Sequence, residues 1–238
     1  MKIKVIIPNS GMDRETLDSR EKMLKAACRE TTVVSVDCIE KGPESIESAY
    51  DEALAVPEVL RLGVQAEKDG FDAIVVYCGS DPGVDALREM VCIPVIAPGR
   101  ASVFLASYLS SRFSYITVLE QSIPRTRDHI LEMGIEPHLL ASVRSVEIPV
   151  SSMRDDLDFT LKKLAGAGRA AVEEDGAECL VLGCLGMAGL GDRLPKMLGI
   201  PVIDPAFAAM AYAEMLSILG LCHSKNRYPF PPDKVRIC

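Results

Sequence analysis

Several features that would mark other classes of protein are scarce in this sequence of 238 residues. It has no basic tract and no segment in which basic and aromatic residues alternate, and its formal charge is −8 at pH 7. We therefore expect neither a nucleic acid nor an anionic membrane as a partner. No stretch reaches about eighteen apolar residues, and the apolar run at the N-terminus is too short for a secretion signal. The expected compartment is the cytoplasm.

Motifs for cofactors and metals are missing as well. No G-x-G-x-x-G follows the first predicted strand, there is no P-loop, and no lysine has a setting that suggests a pyridoxal Schiff base. The three histidines show no zinc-like spacing to any cysteine, so neither a cofactor nor a metal is predicted. The eight cysteines include no C-x-x-C pair, which favours free thiols over disulfides in a chain of this length.

What the sequence does contain is a regular alternation of strand-like and helix-like segments. Apolar runs such as KIKVIIP, TTVVSVD and DAIVVY alternate with longer segments of helical periodicity. This pattern is typical of parallel sheets built from βαβ units, so the predicted class is α/β. We predict Asp13 as the N-cap of the first helix, a break or kink in the second helix near Pro57, and a strand in VRSVEIPV.

One unit of the sequence occurs twice. Asp69 opens DGFDAIVVYCGSDPGVDALREMVCIPVIAP, and Asp175 opens DGAECLVLGCLGMAGLGDRLPKMLGIPVIDP. The Asp-Gly pair, the apolar strand, the cysteine and a glycine after it match in register, and Ile-Pro-Val-Ile matches after one inserted residue. The repeat predicts two related lobes, with Cys78 and Cys184 at equivalent strand ends.

These two cysteines differ from the others because each ends a predicted strand and precedes a glycine-rich turn. A lone cysteine is usually a small buried apolar residue. We interpret five cysteines in that way: Cys28, Cys38, Cys92, Cys179 and Cys222. Ligands of parallel α/β sheets bind beyond the carboxyl ends of the strands. Two facing lobes would therefore present one thiol, Cys78 or Cys184, to each side of a bound molecule.

Two facing thiols permit racemisation without a cofactor. A thiolate on one face of a tetrahedral carbon removes its proton, and a thiol on the opposite face returns one. Near-attack distances of about 3–3.5 Å on each side predict sulfur atoms roughly 6–7 Å apart. The reaction needs a carbonyl beside the carbon, and backbone N–H groups after each cysteine are placed to stabilise the enolate.

At these residues the sequence resembles the aspartate/glutamate/hydantoin racemase superfamily, and most closely its hydantoin and allantoin racemase branch. The resemblance extends over nearly the whole chain. The segments similar to that branch are VIIPNSG, GPESIESAYDEALAVPEVL, the cysteine motifs CGSDPGVDALRE and GCLGMAGL, and the tail SKNRYPFPP.

The resemblance implies an architecture. It implies two pseudo-symmetric lobes, each a mostly parallel sheet flanked by helices, with a cleft between them. We expect a first lobe of residues 1–97 with 207–238, to which the C-terminal helix returns, and a second lobe of residues 98–206. The family also implies a small-molecule substrate and a self-associating enzyme.

By this resemblance Cys78 and Cys184 are the catalytic acid/bases. The residues implied to bind substrate, largely through backbone amides, are Asn9, Ser10, Gly79, Ser80, Thr117, Leu185 and Gly186. Turn chemistry alone would also explain the glycines, and strand propensity would explain the threonine. For Asp81 we favour capping of the helix that follows it over tuning of Cys78.

The sequence departs from one branch of the superfamily. Glutamate racemases typically carry Asn-Thr after the first cysteine and Thr-His after the second, where this chain has Gly79-Ser80 and Leu185-Gly186. The difference favours a cyclic ureide, such as a 5-substituted hydantoin or allantoin, over a free amino acid. The alternatives are an aspartate or glutamate racemase, a lyase or maleate-type cis–trans isomerase with a nucleophilic cysteine, and a binding protein that kept the cleft.

Overall fold

The computed structural model describes residues 1–235, which contain two parallel β-sheets of four strands each. The strands of the first sheet are β1 (Lys2–Ile7), β2 (Val33–Cys38), β3 (Ala73–Val76) and β4 (Val95–Ile96). Those of the second sheet are β5 (Phe113–Thr117), β6 (Leu140–Ser145), β7 (Cys179–Leu182) and β8 (Val202–Ile203). The strand order is β2-β1-β3-β4 in the first sheet and β6-β5-β7-β8 in the second.

Eight α-helices connect and cover these strands in the described part of the chain. They are α1 (Arg14–Ala26), α2 (Ala49–Lys68), α3 (Val84–Met90), α4 (Pro98–Leu109), α5 (Ile123–Glu132), α6 (Leu157–Glu173), α7 (Leu194–Leu198) and α8 (Pro205–Ile218). Asp13 is the N-cap of α1, as predicted, and its carboxylate accepts from the Thr16 N–H. Within residues 1–235, no helix combines the length and the apolar character needed to cross a bilayer.

The two sheets share one topology and one register. Ile74 of β3 pairs with Val95 of β4, and Leu180 of β7 pairs with Val202 of β8. Positions 74 and 180 differ by 106 and positions 95 and 202 differ by 107, which are the offsets of the repeated sequence unit. The predicted α/β class with two pseudo-symmetric halves is confirmed.

Each sheet is the middle layer of three. Helices α1 and α8 cover one face of the first sheet, and α2 and α3 cover the other. Helices α6 and α7 cover one face of the second sheet, and α4 and α5 cover the other. The helix after the last strand of each sheet packs on the opposite sheet. Helix α4 follows β4 of the first sheet and lies against β7 and β8 of the second, and α8 follows β8 of the second sheet and lies against β3 and β4 of the first.

The break in the second helix and the full extent of the strand in VRSVEIPV are wrong predictions, whereas a kink near Pro57 stays a prediction. Helix α2 runs through Pro57 without a break, and it begins only at Ala49, with Ser48 as its N-cap. A proline has no backbone N–H group and therefore removes one helical hydrogen bond. The buried residues on both sides of Pro57 keep α2 packed on the sheet. Strand β6 ends at Ser145, before most of the predicted VRSVEIPV strand, because Glu147 adopts a left-handed φ of 55°.

The cysteines outside the repeated motifs are more varied than predicted. All seven cysteines in residues 1–235 are free thiols, and Cys238 lies outside the described residues. Cys179 is buried, as we interpreted it, and Cys28 and Cys38 are half-buried. Cys92 and Cys222 are exposed, so the interpretation of these two as core residues is wrong. Both lie in irregular segments at the surface, outside the sheets and helices.

Candidate active site

Cys78 and Cys184 each lie two residues beyond the end of a central strand, β3 or β7. The two turns that follow approach each other through their backbones. A Cβ atom on Gly79 would lie 2.1 Å from the Gly183 carbonyl oxygen, and one on Gly183 would lie 2.2 Å from a ring carbon of Tyr115. Glycine is therefore required at both positions by close contact, which turn chemistry alone does not explain.

Two tyrosine hydroxyl groups hold these turns together. The Tyr115 hydroxyl, from β5, lies 3.4 Å from the carbonyl oxygen of Gly79 and 3.3 Å from that of Gly183. The Tyr77 hydroxyl donates to the Leu185 carbonyl oxygen at 3.4 Å. Burial raises the pKa of both tyrosines, so both remain protonated donors. Each half thus contributes a buried tyrosine that fixes the position of the other half's turn.

All nine residues singled out from the sequence line one cavity of about 870 Å³, where the carboxyl ends of the two sheets meet. They are Cys78, Cys184, Asn9, Ser10, Gly79, Ser80, Thr117, Leu185 and Gly186. Cavities of roughly 300–1,000 Å³ are typical of small-molecule sites. The structure therefore brings together residues that the chain supplies from four separate segments.

The surroundings of Cys78 oppose its ionisation. Burial raises the pKa of this thiol to about 12, and the Cys184 sulfur and the Glu52 carboxylate act in the same direction. The hydroxyl group and backbone N–H of Ser80 act in the opposite direction, with the hydroxyl oxygen 3.3 Å from the sulfur. Cys78 is therefore a thiol at neutral pH in the free protein.

The surroundings of Cys184 are more favourable to a thiolate. Its sulfur accepts a hydrogen bond from the Gly186 N–H at 3.3 Å. Burial raises the pKa of this thiol, but the Gly186 N–H and the positive charge of Arg20 lower it. Each thiol has one carboxylate in its surroundings, Glu47 for Cys184 and Glu52 for Cys78, but only Cys184 also has a cation, so Cys184 is the easier of the two to ionise.

The backbone N–H groups predicted to bind substrate differ in whether they already donate a hydrogen bond within the protein. In the described part of the chain, neither the Gly79 N–H nor the Leu185 N–H donates to another protein group. The Ser10 N–H donates to the Pro43 carbonyl oxygen at 2.8 Å, and the Ser10 hydroxyl donates to the Gly42 carbonyl oxygen at 2.8 Å. Ser10 therefore anchors a loop at the edge of the cavity and has no donor left for a ligand.

Asp81 does not cap the helix that follows it, contrary to prediction. Its carboxylate accepts from the N–H groups of Gly99 at 2.9 Å and Arg100 at 2.8 Å, in the first turn of α4, whereas α3 begins at Gly83 without a side-chain cap. His129 of α5 lies beside the same carboxylate, with Nε2 3.8 Å from Oδ2. The interaction with Asp81 raises the pKa of His129, although desolvation opposes the rise.

Three arginines in the cavity wall, Arg20, Arg125 and Arg154, were not predicted from the sequence. Arg154 donates from Nη1 to two carbonyl oxygens in residues 186–188. Arg20 lies on the buried face of α1 between Leu17 and Leu24, and it is only 9% exposed. The sequence did hold an indication of this, because Arg20 follows Leu17 by three residues and precedes Leu24 by four, on the apolar face of the helix.

On another side of the cavity, charged groups of the two halves bind each other. Glu52 of α2 forms an ion pair with Arg125 of α5. The Glu47 carboxylate accepts from the Val150 N–H at 2.7 Å. These contacts join the first half to the second half, and the ion pair places the opposite charges of Glu52 and Arg125 together.

The two halves have the same topology, and each supplies one thiol to a shared cavity. These features define a class of duplicated α/β proteins with paired cysteines. A sequence model of the Asp/Glu/Hydantoin racemase family matches residues 3–213. The chain belongs to this family. The resemblance identified from the cysteine motifs is thereby confirmed.

Individual relatives match almost the whole chain. A hydantoin racemase from Pseudomonas sp. (strain NS671) is 39% identical over 235 residues, covering 98% of this chain and 93% of that protein. A hydantoin racemase from Rhizobium meliloti is 40% identical over 237 residues, covering 98% and 96%. The structure of an allantoin racemase from Klebsiella pneumoniae superposes with a TM-score of 0.92 at 31% identity, covering 100% of this chain and 96% of that one.

Proposed function

We propose that this protein is a cofactor-independent racemase of a 5-substituted hydantoin or a related cyclic ureide such as allantoin. Cys78 and Cys184 are the two acid/bases, one on each face of ring carbon 5. The observation that carries the proposal is that each half of a duplicated fold supplies one of these cysteines to a single cavity. The relatives named hydantoin racemase, at 39–40% identity, support the choice of ring.

The proposed reaction needs one thiolate and one thiol. The thiolate takes the proton from carbon 5, and the electron pair of the broken C–H bond moves into the adjacent carbonyl group to give an enolate. The opposite thiol then returns its proton to carbon 5 from the other face and becomes a thiolate. The protein finishes each turnover with the two protonation states exchanged, which prepares it for the opposite enantiomer.

The enolate oxygen requires hydrogen-bond donors that are already in position. The N–H groups of Gly79 and Leu185 follow the two cysteines directly and donate to no other group in residues 1–235. We assign them to the ring carbonyl groups. The other residues proposed to hold the ring are Asn9, Ser10, Ser80, Thr117 and Gly186, with Ser10 acting through the loop that it anchors.

The test follows pure enantiomers of several 5-substituted hydantoins and of allantoin by circular dichroism. Cys78→Ser and Cys184→Ser are each expected to slow racemisation by about 10²–10⁴-fold, because a serine hydroxyl is a far weaker acid than a thiol. Cys92→Ser is the matched control, since Cys92 is exposed and lies outside the cavity, and it should leave the rate unchanged. Racemisation at the wild-type rate by either cavity variant would contradict the two-base mechanism.

The same assay in D₂O separates the rival chemistries. A racemase of this kind introduces solvent deuterium at carbon 5 of a chiral hydantoin. A cis–trans isomerase with a nucleophilic cysteine would interconvert alkene geometry without that exchange, and an amino-acid racemase would exchange aspartate or glutamate instead. A binding protein would retain affinity for the ring after both thiols were replaced, with no turnover before replacement.

We also propose that the protein self-associates and works in the cytoplasm. Free thiols at all seven cysteines of residues 1–235 suit a reducing compartment. Apolar side chains remain exposed on α4 and near the end of α8, where Tyr108 is 86%, Ile218 is 52% and Leu219 is 60% exposed. Contact with a second copy of the chain would bury them.

A further inference from the structure

Arg20 carries a buried positive charge that no described protein group balances. The side chain is on the inner face of α1, and the residue is 9% exposed. Among residues 1–235, no carboxylate lies within 4.0 Å of its guanidinium, and no oxygen atom accepts a hydrogen bond from it. Burying a charge without a partner is costly, so such a group usually has a ligand that completes it.

The position of Arg20 directs this charge to the Cys184 end of the cavity. Leu17 and Leu24, on either side of it along the helix face, belong to the same core cluster as Leu185 in the turn after Cys184. Arg20 lies on that same face of α1 and lines the cavity. The charge of Arg20 also lowers the pKa of the Cys184 thiol, so the guanidinium lies close enough to this thiol to act on it through the shared cavity.

Two cationic side chains line this end of the cavity. Arg154 lies there too, and its pKa is lowered by burial and by the charge of Arg20. Two carboxylates act on this end as well, because Glu47 raises the pKa of Cys184 and Asp204 raises that of Arg154, but both accept hydrogen bonds from backbone N–H groups. Asp204 accepts from the N–H groups at positions 189 and 206, and Glu47 accepts from the N–H at position 150. Neither forms an ion pair with Arg20 or Arg154 within residues 1–235.

We propose that Arg20 determines specificity by binding a carboxylate on the carbon-5 substituent, so that acidic hydantoins are preferred substrates. This inference rests on the racemase function proposed above. The ring itself offers neutral carbonyl and N–H groups, which leave the charge of Arg20 uncompensated. A carboxylate on a short side chain supplies the full negative charge, and the planar guanidinium fork matches its two oxygen atoms.

The test compares two substrates of nearly the same shape, 5-(2-carboxyethyl)hydantoin and its neutral amide 5-(2-carbamoylethyl)hydantoin. The wild-type protein is expected to show a higher kcat/KM for the acid. Arg20→Gln should lower the ratio of kcat/KM for the acid to kcat/KM for the amide by about 10–100-fold, because a charged hydrogen bond is lost only with the acid, whereas the effect of Arg20 on the Cys184 thiolate reaches both substrates equally. Arg14→Gln is the matched control, since Arg14 is exposed on the same helix and lies outside the cavity.

Two results would overturn the inference. The first is a wild-type preference for the amide. The second is an equal loss of kcat/KM on both substrates in Arg20→Gln, with the acid-to-amide ratio unchanged, which would mean that Arg20 acts only on the Cys184 thiolate. If Arg20→Gln fails to fold, Arg20→Met replaces it. That variant removes an unpaired buried charge, and we expect it to melt at a higher temperature while it loses the preference for the acid.

A failure of the proposed racemase function would be recognised separately. Calorimetric binding of the two hydantoins needs no turnover. The inference would be supported if the wild-type protein bound the acid at least tenfold more tightly than the amide and Arg20→Gln lost this difference in affinity. That result would hold even if neither ligand were racemised. Equal binding of the acid and the amide would overturn it, whether or not the protein racemises other hydantoins.

Discussion

At the scale of single residues, the two cavity cysteines have equivalent positions but different neighbours. Both have a carboxylate in their surroundings, but Cys184 also accepts from the Gly186 N–H and is acted on by the positive charge of Arg20, whereas Cys78 has the neutral Ser80 hydroxyl beside it. The repeat therefore supplies a symmetric pair of bases, and the residues around them remove the symmetry. One thiol is set to ionise before the other.

This difference predicts the order in which iodoacetamide alkylates the two thiols. At pH 8 Cys184 should react faster than Cys78, because the thiolate is the nucleophile and the neighbours of Cys184 favour it. Both rates should still rise between pH 7 and pH 9, since burial raises the pKa of each thiol and the thiolate fraction grows as the pH approaches the pKa. Peptide mass spectrometry measures each site, and exposed Cys92 provides the internal standard.

Faster modification of Cys78 would contradict the account of the two environments. So would a rate at both sites that is constant from pH 7 to pH 9, because it would mean that both thiols are already ionised. In Arg20→Met the advantage of Cys184 should shrink, since the cation that favours its thiolate is gone.

The residues of the site could be predicted only in part. Cys78 and Cys184 were recognisable because a duplication aligns equivalent positions, so each supported the other. Arg20 and His129 are single charged residues on helices, and only packing decides which helix face meets the cavity. Asp81 was assigned to the wrong helix because its carboxylate reaches α4, a contact between residues 18 positions apart.

At the scale of secondary-structure elements, the segment after α8 covers the open edge of β4. His223 Nε2 accepts from the Val95 N–H at 2.9 Å, and Arg88 donates to the Val95 carbonyl oxygen at 3.1 Å and 3.3 Å. Lys225 donates to three carbonyl oxygens at the end of α3. An exposed strand edge invites pairing with other chains, and these contacts satisfy its hydrogen-bonding groups.

The contact of His223 with the edge predicts a pH dependence of stability. Burial and the charge of Arg88 lower the pKa of His223 to about 4, against 6.5 for an ordinary histidine. As the pH falls from 6.5 to 4, the unfolded chain binds a proton that the folded chain does not, so this group lowers the free energy of unfolding over that range. The slope from one group is at most about 1.4 kcal/mol per pH unit.

Urea unfolding at several pH values measures this dependence. His223→Gln keeps an oxygen that can accept from the Val95 N–H but does not titrate, so the loss of stability from pH 6.5 to pH 4 should be smaller than in the wild-type protein. His138→Gln is the control, because His138 is exposed. An unchanged pH slope in His223→Gln would contradict the prediction.

The elements themselves were largely readable from the pattern, and their ends were less so. The fully buried strands β3 and β7 are continuous apolar runs, which is typical of central parallel strands. The end of β6 depends on one left-handed residue, Glu147, which no apolar periodicity marks. The continuity of α2 through Pro57 depends on packing against the sheet, which outweighs the local cost of the proline.

At the scale of the whole molecule, the halves are joined by an exchange of helices. The helix that follows the last strand of each sheet packs on the other sheet. We propose on this basis that the first lobe comprises residues 1–97 with 207–238 and the second lobe comprises residues 98–206. The exchange, the bridging hydroxyl groups of Tyr77 and Tyr115, and the close contact of Gly79 with Gly183 fix the two cysteine turns against each other.

The central claim is that each lobe contributes one base to one face of the same carbon atom. Proton NMR of deuterium exchange at carbon 5, with each pure hydantoin enantiomer in D₂O and a protein-free blank, tests it most directly. Cys78→Ser and Cys184→Ser each retain one thiol, so each variant should exchange one enantiomer much faster than it inverts that enantiomer, and the two variants should act on opposite enantiomers. Exchange of the same enantiomer by both variants, or inversion by either at the wild-type rate, would contradict the account.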